Sequence, residues 1–282
     1  MNLKVPARLA CGAAAVTLTC VLPLRAAAED ASPWIKDSYS SVRLIAGSRS
    51  GNVLLGGIGF QLEPGWKTYW RTPGDSGVPP RISFAKSDNI DSVTILWPTP
   101  SKFPDGAGGI SFGYKKHVLL PLRIVAKSSD KPVILRAEIS YAVCDRICIP
   151  AEATAELAFT SVASTEDSTI AAALETVPKP ARIGEATPVA IKSVRREGKT
   201  VLVDVAADDK TSPGKDVELF AEGPTPDWAL PVPKLIKHDA GGLQHFSFDL
   251  DGLPPGAKAD GAVLKLTVAG PGAAYEVAAP LD

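Results

Sequence analysis

Two cysteines stand close together in the run Tyr141-Ala142-Val143-Cys144-Asp145-Arg146-Ile147-Cys148-Ile149-Pro150. If the chain turns between them, their sulfurs can join. Such a bridge is a weak staple: loop entropy gives only ~2 kcal/mol for about five residues, against ~3 for fifteen. A chain of 282 residues can build its own core without it. Proximity is, however, what dithiol–disulfide exchange requires. One thiolate attacks a partner and the second resolves the mixed disulfide. Arg146 favours a thiolate and Asp145 opposes it, so sequence does not sign their net effect. An inert hairpin disulfide is the competing reading. A metal site is not expected, because no His lies near the pair and the only methionine is Met1. No cofactor is expected either, since no Gly-rich phosphate loop precedes a helix. Ser76 lies in Gly74-Asp75-Ser76-Gly77, which lacks the Gly-x-Ser-x-Gly nucleophile elbow.

The pair needs an element to hold it, and alternation supplies one. In a strand, Val133, Leu135, Ala137, Ile139, Tyr141 and Val143 point one way, and this is the expected core face. Ile134, Arg136, Glu138, Ser140, Ala142 and Cys144 point the other. Cys144 is thus expected at a strand end on the more polar face, within a partner's reach.

Residues 1–28 read as a secretory signal peptide to be left out of fold reasoning. Lys4 and Arg8 give a positive start, an uncharged apolar run from Leu9 to Leu22 follows, and Ala26-Ala27-Ala28 offers a cleavage site. The run is shorter than the roughly 20 residues of a spanning helix, so stable membrane insertion is not expected. Its loss removes Lys4, Arg8 and Arg25 and no acid, taking the net charge from −1 to −4. No basic excess remains for nucleic acid. Cys11 and Cys20 leave with it, so Cys144 and Cys148 are the only cysteines of the mature chain. The signal suggests export to a bacterial periplasm, where a disulfide can persist.

The rest reads as mainly β. Pro and Gly together are about 17% of the chain. They punctuate short runs such as Val42–Ile45, Val53–Leu62, Val93–Trp97, Val118–Val125 and Ala153–Phe159. Ser164-Thr165-Glu166-Asp167 reads as a helix cap, Ile170 to Leu174 as helix, and Pro178 and Pro180 as its stop. The expected architecture is two immunoglobulin-like β-sandwiches, at 29–163 and 188–282, joined at 164–187 by a short helix and Pro-rich linker. Trp66, Tyr69 and Trp70 cluster after Pro64-Gly65, either as turn-proximal core or as a ligand platform. Arg71, Asp75 and Arg81 form either a polar network near the cysteines or ordinary turn chemistry. Pro224, Pro226 and Trp228 suggest a loop anchor.

The first half resembles the N-terminal periplasmic domain of the DsbD and ScsB thiol:disulfide interchange proteins, the ScsB-like form more closely. The resemblance rests on Pro64-Gly65-Trp66-Lys67-Thr68-Tyr69-Trp70-Arg71-Thr72-Pro73-Gly74-Asp75-Ser76-Gly77-Val78-Pro79-Pro80 and Trp97-Pro98-Thr99-Pro100. It continues through Gly113-Tyr114 before Val118-Leu119-Leu120-Pro121, and ends at Val143-Cys144 and Cys148-Ile149-Pro150. It spans about residues 35–160. It implies a reductase-type exchange site with Cys144 and Cys148 as catalytic residues, Cys148 forming the mixed disulfide and Cys144 resolving it. It also implies a flexible aromatic cap. Here Phe103 to Tyr114 falls in that place, and Phe112 or Tyr114 is expected over the sulfurs, with Asp145, Arg146, Tyr69 and Trp70 nearby. The implied partners are periplasmic thioredoxin-like proteins and a membrane electron transporter. Full-length transporters of this type continue into membrane spans and a thioredoxin-like domain. Residues 1–282 hold neither, so a separate protein is expected to reduce the pair. The alternative is an exported binding or scaffold module with a structural bridge.

Overall fold

The computed structural model describes Met1 and residues 29–160, 162–207, 217–239 and 242–282. The signal-peptide reading falls on residues that lie, Met1 aside, outside those described.

The first half holds β1 (Ile35–Asp37), β2 (Ser40–Ser50), β3 (Val53–Leu62), β4 (Lys67–Gly74), β5 (Arg81–Ser83), β6 (Ile90–Ile95), β7 (Ser101–Pro104), β8 (Ile110–Lys115), β9 (His117–Ala126), β10 (Val133–Cys144) and β11 (Cys148–Phe159). One sheet runs β1-β2-β3-β9-β6. The other runs β11-β10-β4-β8-β7, with β5 also paired to β10. Their facing sides bury a common core, including Leu44, Ile58, Leu122, Leu135 and Ile139. β10 follows the expected alternation. Its odd-numbered residues from Val133 to Val143 are buried, and Ile134, Arg136, Glu138 and Ser140 are more open. It pairs with β11 in unbroken register from Val133↔Phe159 to Cys144↔Cys148.

The helix α1 (Asp167–Leu174) includes the whole run Ile170 to Leu174 and begins at the last residue of the expected cap. Ser164 Oγ accepts from Glu166 N at 3.0 Å, so local side-chain chemistry does organise its entry. Ile170 is its buried residue and packs on Gly47, where a Cβ would stand 2.6 Å from Ile170 Cδ1.

The second half holds β12 (Lys179–Ala181), β13 (Val189–Glu197), β14 (Thr200–Ala207), β15 (Glu218–Glu222), β16 (Lys234–His238), β17 (Leu243–Asp249), β18 (Val263–Gly270) and β19 (Ala273–Pro280). Its sheets run β12-β19-β18-β15 and β13-β14-β17-β16. They enclose a second core that contains Val203, Leu219, Phe246, Leu264 and Leu266. The fold is thus mainly β, built of immunoglobulin-like sandwiches. Within the Pro-rich stretch a short strand forms: β12 pairs in parallel with β19, Lys179↔Tyr275 to Ala181↔Val277. Such a place at the edge of a sheet suits Pro180, which has no N–H to donate. Trp228 belongs to the second core and packs on Gly223. Among the described residues no helix is long and apolar enough to cross a membrane.

The halves meet through β15. Alternation turns Leu219 and Ala221 into their own core and Phe220 and Glu222 toward the first half. Phe220 is fully buried edge-on against Trp70 and Phe112, with ring centroids 5.6 and 4.8 Å away. Edge-to-face rings at such spacings attract beyond their buried area.

Candidate redox site

The β10–β11 turn brings Cys144 and Cys148 into a disulfide, with Cα atoms 4.1 Å apart. Asp145, Arg146 and Ile147 form the turn, closed by Asp145 N donating to Ile147 O at 3.1 Å. Both ends of the bridge are not alike. Cys148 is exposed, whereas Cys144 is only 1% exposed and packs with Tyr69 and Ala142. The parity reading put Cys144 on the outer face correctly, but that face is covered here. A partner's access to Cys144 is therefore blocked, contrary to expectation, while Cys148 stays open.

Tyr69 does the covering. Its hydroxyl donates to Cys144 Sγ at 3.0 Å and lies 3.3 Å from Cys148 Sγ. Burial, assisted by the Asp105 carboxylate, raises the phenol pKa, so Tyr69 stays a donor. Gly77 lies against the Tyr69 ring. Its φ is +129°, and a Cβ there would come within 2.4 Å of Tyr69 Cε1. Only glycine permits that approach without displacing the ring.

A pocket of about 260 Å³ opens beside the sulfurs. Lys67, Tyr69, Ser76, Val78, Asp105, Asp145 and Arg146 line it with the two cysteines. Ser76 Oγ donates to Asp105 Oδ2 at 3.0 Å, tying the Gly74–Val78 loop to the turn between β7 and β8. Asp105 accepts from Ala107 N and Gly109 N, both at 2.8 Å, and these bonds help hold its carboxyl below the usual range. Ile147 and Val78 are exposed apolar side chains at the rim.

Asp145, Arg146 and Tyr69 thus line the pocket with the pair. Trp70 does not. β4 alternates, so Lys67 and Tyr69 face the sulfurs while Thr68 and Trp70 face the sandwich core. Trp66 takes a third direction and stacks on Tyr39 at 3.9 Å.

Phe112 and Tyr114 are not the cap. Both lie in the first core, Phe112 against Trp70 and Phe220, and Tyr114 with its hydroxyl donating to Pro98 O at 2.8 Å. Burial keeps the Tyr114 phenol well above its ordinary pKa. They share one face of β8, and that face is inward. The glycine-rich stretch contributes Asp105 to the pocket beside the sulfurs instead. Sequence reasoning thus missed Gly77 and Asp105, although both lie within runs it had singled out.

Arg71 faces the second half. It holds Glu222 with two bonds, Nε to Oε1 at 2.8 Å and Nη2 to Oε2 at 2.7 Å, and Glu276 Oε2 at 2.6 Å. Burial works against its charge, and these two acids more than compensate, so its pKa is raised. Arg81 is exposed on β5, paired to Ser140.

Residues 43–160 match the family described as thiol:disulfide interchange protein DsbD, N-terminal. No curated protein matches the chain. Among solved structures, the N-terminal periplasmic domain of ScsB from Proteus mirabilis is similar over 89% of this chain and 98% of its own, at 22% identity and a TM-score of 0.71. The yeast GGA1 GAE domain (10% identity, 46% of this chain and 98% of its own) reaches only 0.26. A conserved domain protein from Bacillus anthracis (12% identity, 84% and 75%) reaches only 0.24, and neither bears on the fold. The disulfide, its hairpin and its tyrosine all fall within the matched segment, so residues 43–160 are similar to a DsbD N-terminal domain and carry the cysteine pair with them.

Proposed function

We propose that this chain is an exported, periplasmic thiol:disulfide exchange protein of the reductase type. In its reduced form the Cys148 thiolate attacks one sulfur of a partner disulfide. A mixed disulfide forms, and the partner's other sulfur leaves as a thiolate. The Cys144 thiolate then attacks Cys148 Sγ. This regenerates the Cys144–Cys148 bridge and releases the partner as a dithiol, two electrons richer. A separate dithiol protein reduces the bridge for the next cycle. The partners fitting this chemistry are thioredoxin-like periplasmic proteins and a DsbD- or ScsB-type membrane electron transporter. The division into sandwiches at 29–163 and 188–282 belongs to the same reading.

The observation that carries it is the inequality of the sulfurs. The exposed Cys148 suits collision with a partner, and the covered Cys144, bonded to Tyr69, suits intramolecular resolution. The test pairs a reduction potential with a trap. Cys144→Ser leaves Cys148 able to attack and unable to be released, so it should accumulate mixed disulfides with periplasmic proteins. A potential below about −300 mV, as inert bridges have, together with an empty trap would leave only the scaffold reading.

A further inference from the structure

We infer that the second half is a positioning element for the redox site, acting through Phe220 and Glu222 on strand β4. This rests on the exchange function proposed above.

The β4–β8 ladder runs Lys67↔Lys115, Thr68↔Tyr114, Tyr69↔Gly113, then resumes only at Gly74↔Ser111. Residues 70–73 therefore bulge out opposite the single residue Phe112. Bulges of this kind re-aim side chains near active sites. Here the re-aimed residues reach the second half. Trp70 meets Phe220, Arg71 holds Glu222 and Glu276, and Thr72 Oγ1 donates to Glu222 Oε1 at 2.8 Å.

Both flanks of the bulge belong to the cover over the sulfurs. Tyr69, on its N-terminal side, is the hydrogen-bond donor to Cys144. Gly74–Val78, on its C-terminal side, carries Gly77 onto the Tyr69 ring. A further contact fixes that loop. Asp75 Oδ2 accepts from Ile110 N at 2.9 Å, while Asp75 Oδ1 accepts from Val232 N of the second half at 3.3 Å. The cover is thus held between two anchors, and each anchor ends in the second half. Loosening them lets Tyr69 and its loop lift more often, as local opening does where contacts are lost.

Reduction of the oxidised full-length protein by dithiothreitol tests this, with the rate followed well below the melting temperature. Glu222→Gln with Glu276→Gln keeps shape but removes the charge that holds Arg71. It should speed reduction about tenfold. Phe220→Leu, which roughly conserves volume, should speed it in the same direction and serves if the double variant does not fold. Leu264→Ala supplies the contrast, since its side chain is buried in the second core and is not among the contacts to strand β4. It should lower the melting temperature and leave the rate unchanged. Wild-type rates in the folded seam variants, or equal acceleration in Leu264→Ala, would overturn the inference. The Cys144→Ser trap of the unaltered seam judges the exchange function separately.

Discussion

Tyr69 Oη stands 3.0 Å from Cys144 Sγ and 3.3 Å from Cys148 Sγ, so one phenol serves both ends of the bridge. After reduction the same donor meets a thiolate. A hydrogen bond to a charged group is worth about 1.5–3 kcal/mol, or about 1–2 pKa units. Tyr69→Phe should therefore raise the pKa of the thiol it serves by about 1–2 units. Thiolate absorbance followed against pH in the reduced protein checks this, and superimposable curves would sink it.

Gly77→Ala should weaken the cover. It adds a methyl within 2.4 Å of the Tyr69 ring at a φ that alanine avoids. A cost of about 1–3 kcal/mol is expected in denaturant unfolding. Gly106→Ala is the control. Its φ is +84° but nothing lies within 4 Å of the added carbon. Gly106→Ala should thus lose stability through backbone strain alone and leave dithiothreitol reduction unchanged, whereas Gly77→Ala should accelerate it.

Tyr114→Ala separates core from cap. Emptying its place in the first core should cost about 3–5 kcal/mol. The rate at which small thiols reduce the disulfide should stay at the wild-type value under folded conditions. A faster rate with stability retained would return Tyr114 to a shielding role.

The second half carries its own pH dependence. His245 lies between Asp204 Oδ1 at 2.7 Å on Nδ1 and Asp239 Oδ2 at 2.8 Å on Nε2. Ser193 and Arg195 also bond Asp204, and Lys237 pairs with Asp239. Hydrogen bonds to Asp239 and Asp204 raise the imidazole pKa above 6.5. A raised folded pKa means the stabilisation is complete below about 6.5 and is lost as pH rises through the folded value. NMR titration should place the His245 midpoint above 6.5. His245→Asn should flatten the stability profile in that window, and an unchanged profile would refute the assignment.

How legible all this was in the sequence varied with how each strand is buried. β10 has one face inward and one outward, so Val133 to Val143 alternate and the strand shows itself. β4 has company on both faces. Tyr69 lies under Gly77, Trp70 lies against Phe112 and Phe220, and the period of two disappears into a run of aromatic residues. Without that strand, nothing distinguished Tyr69 from Trp70. Phe220 was beyond reach for another reason. Its neighbours in space are 108 and 150 residues away in sequence, and no local pattern announces a contact of that range. The cysteine pair was legible because its meaning lies in spacing alone.

The bridge closes a hairpin whose two 12-residue strands are already paired along their whole length. Breaking it removes the last rung of a ladder and detaches nothing. Reduction should therefore expose little apolar surface, and calorimetry should find a heat-capacity change near zero between the two redox forms. In that respect the hairpin would serve as an electrode: a rigid mount whose occupancy by electrons would change while its shape would not.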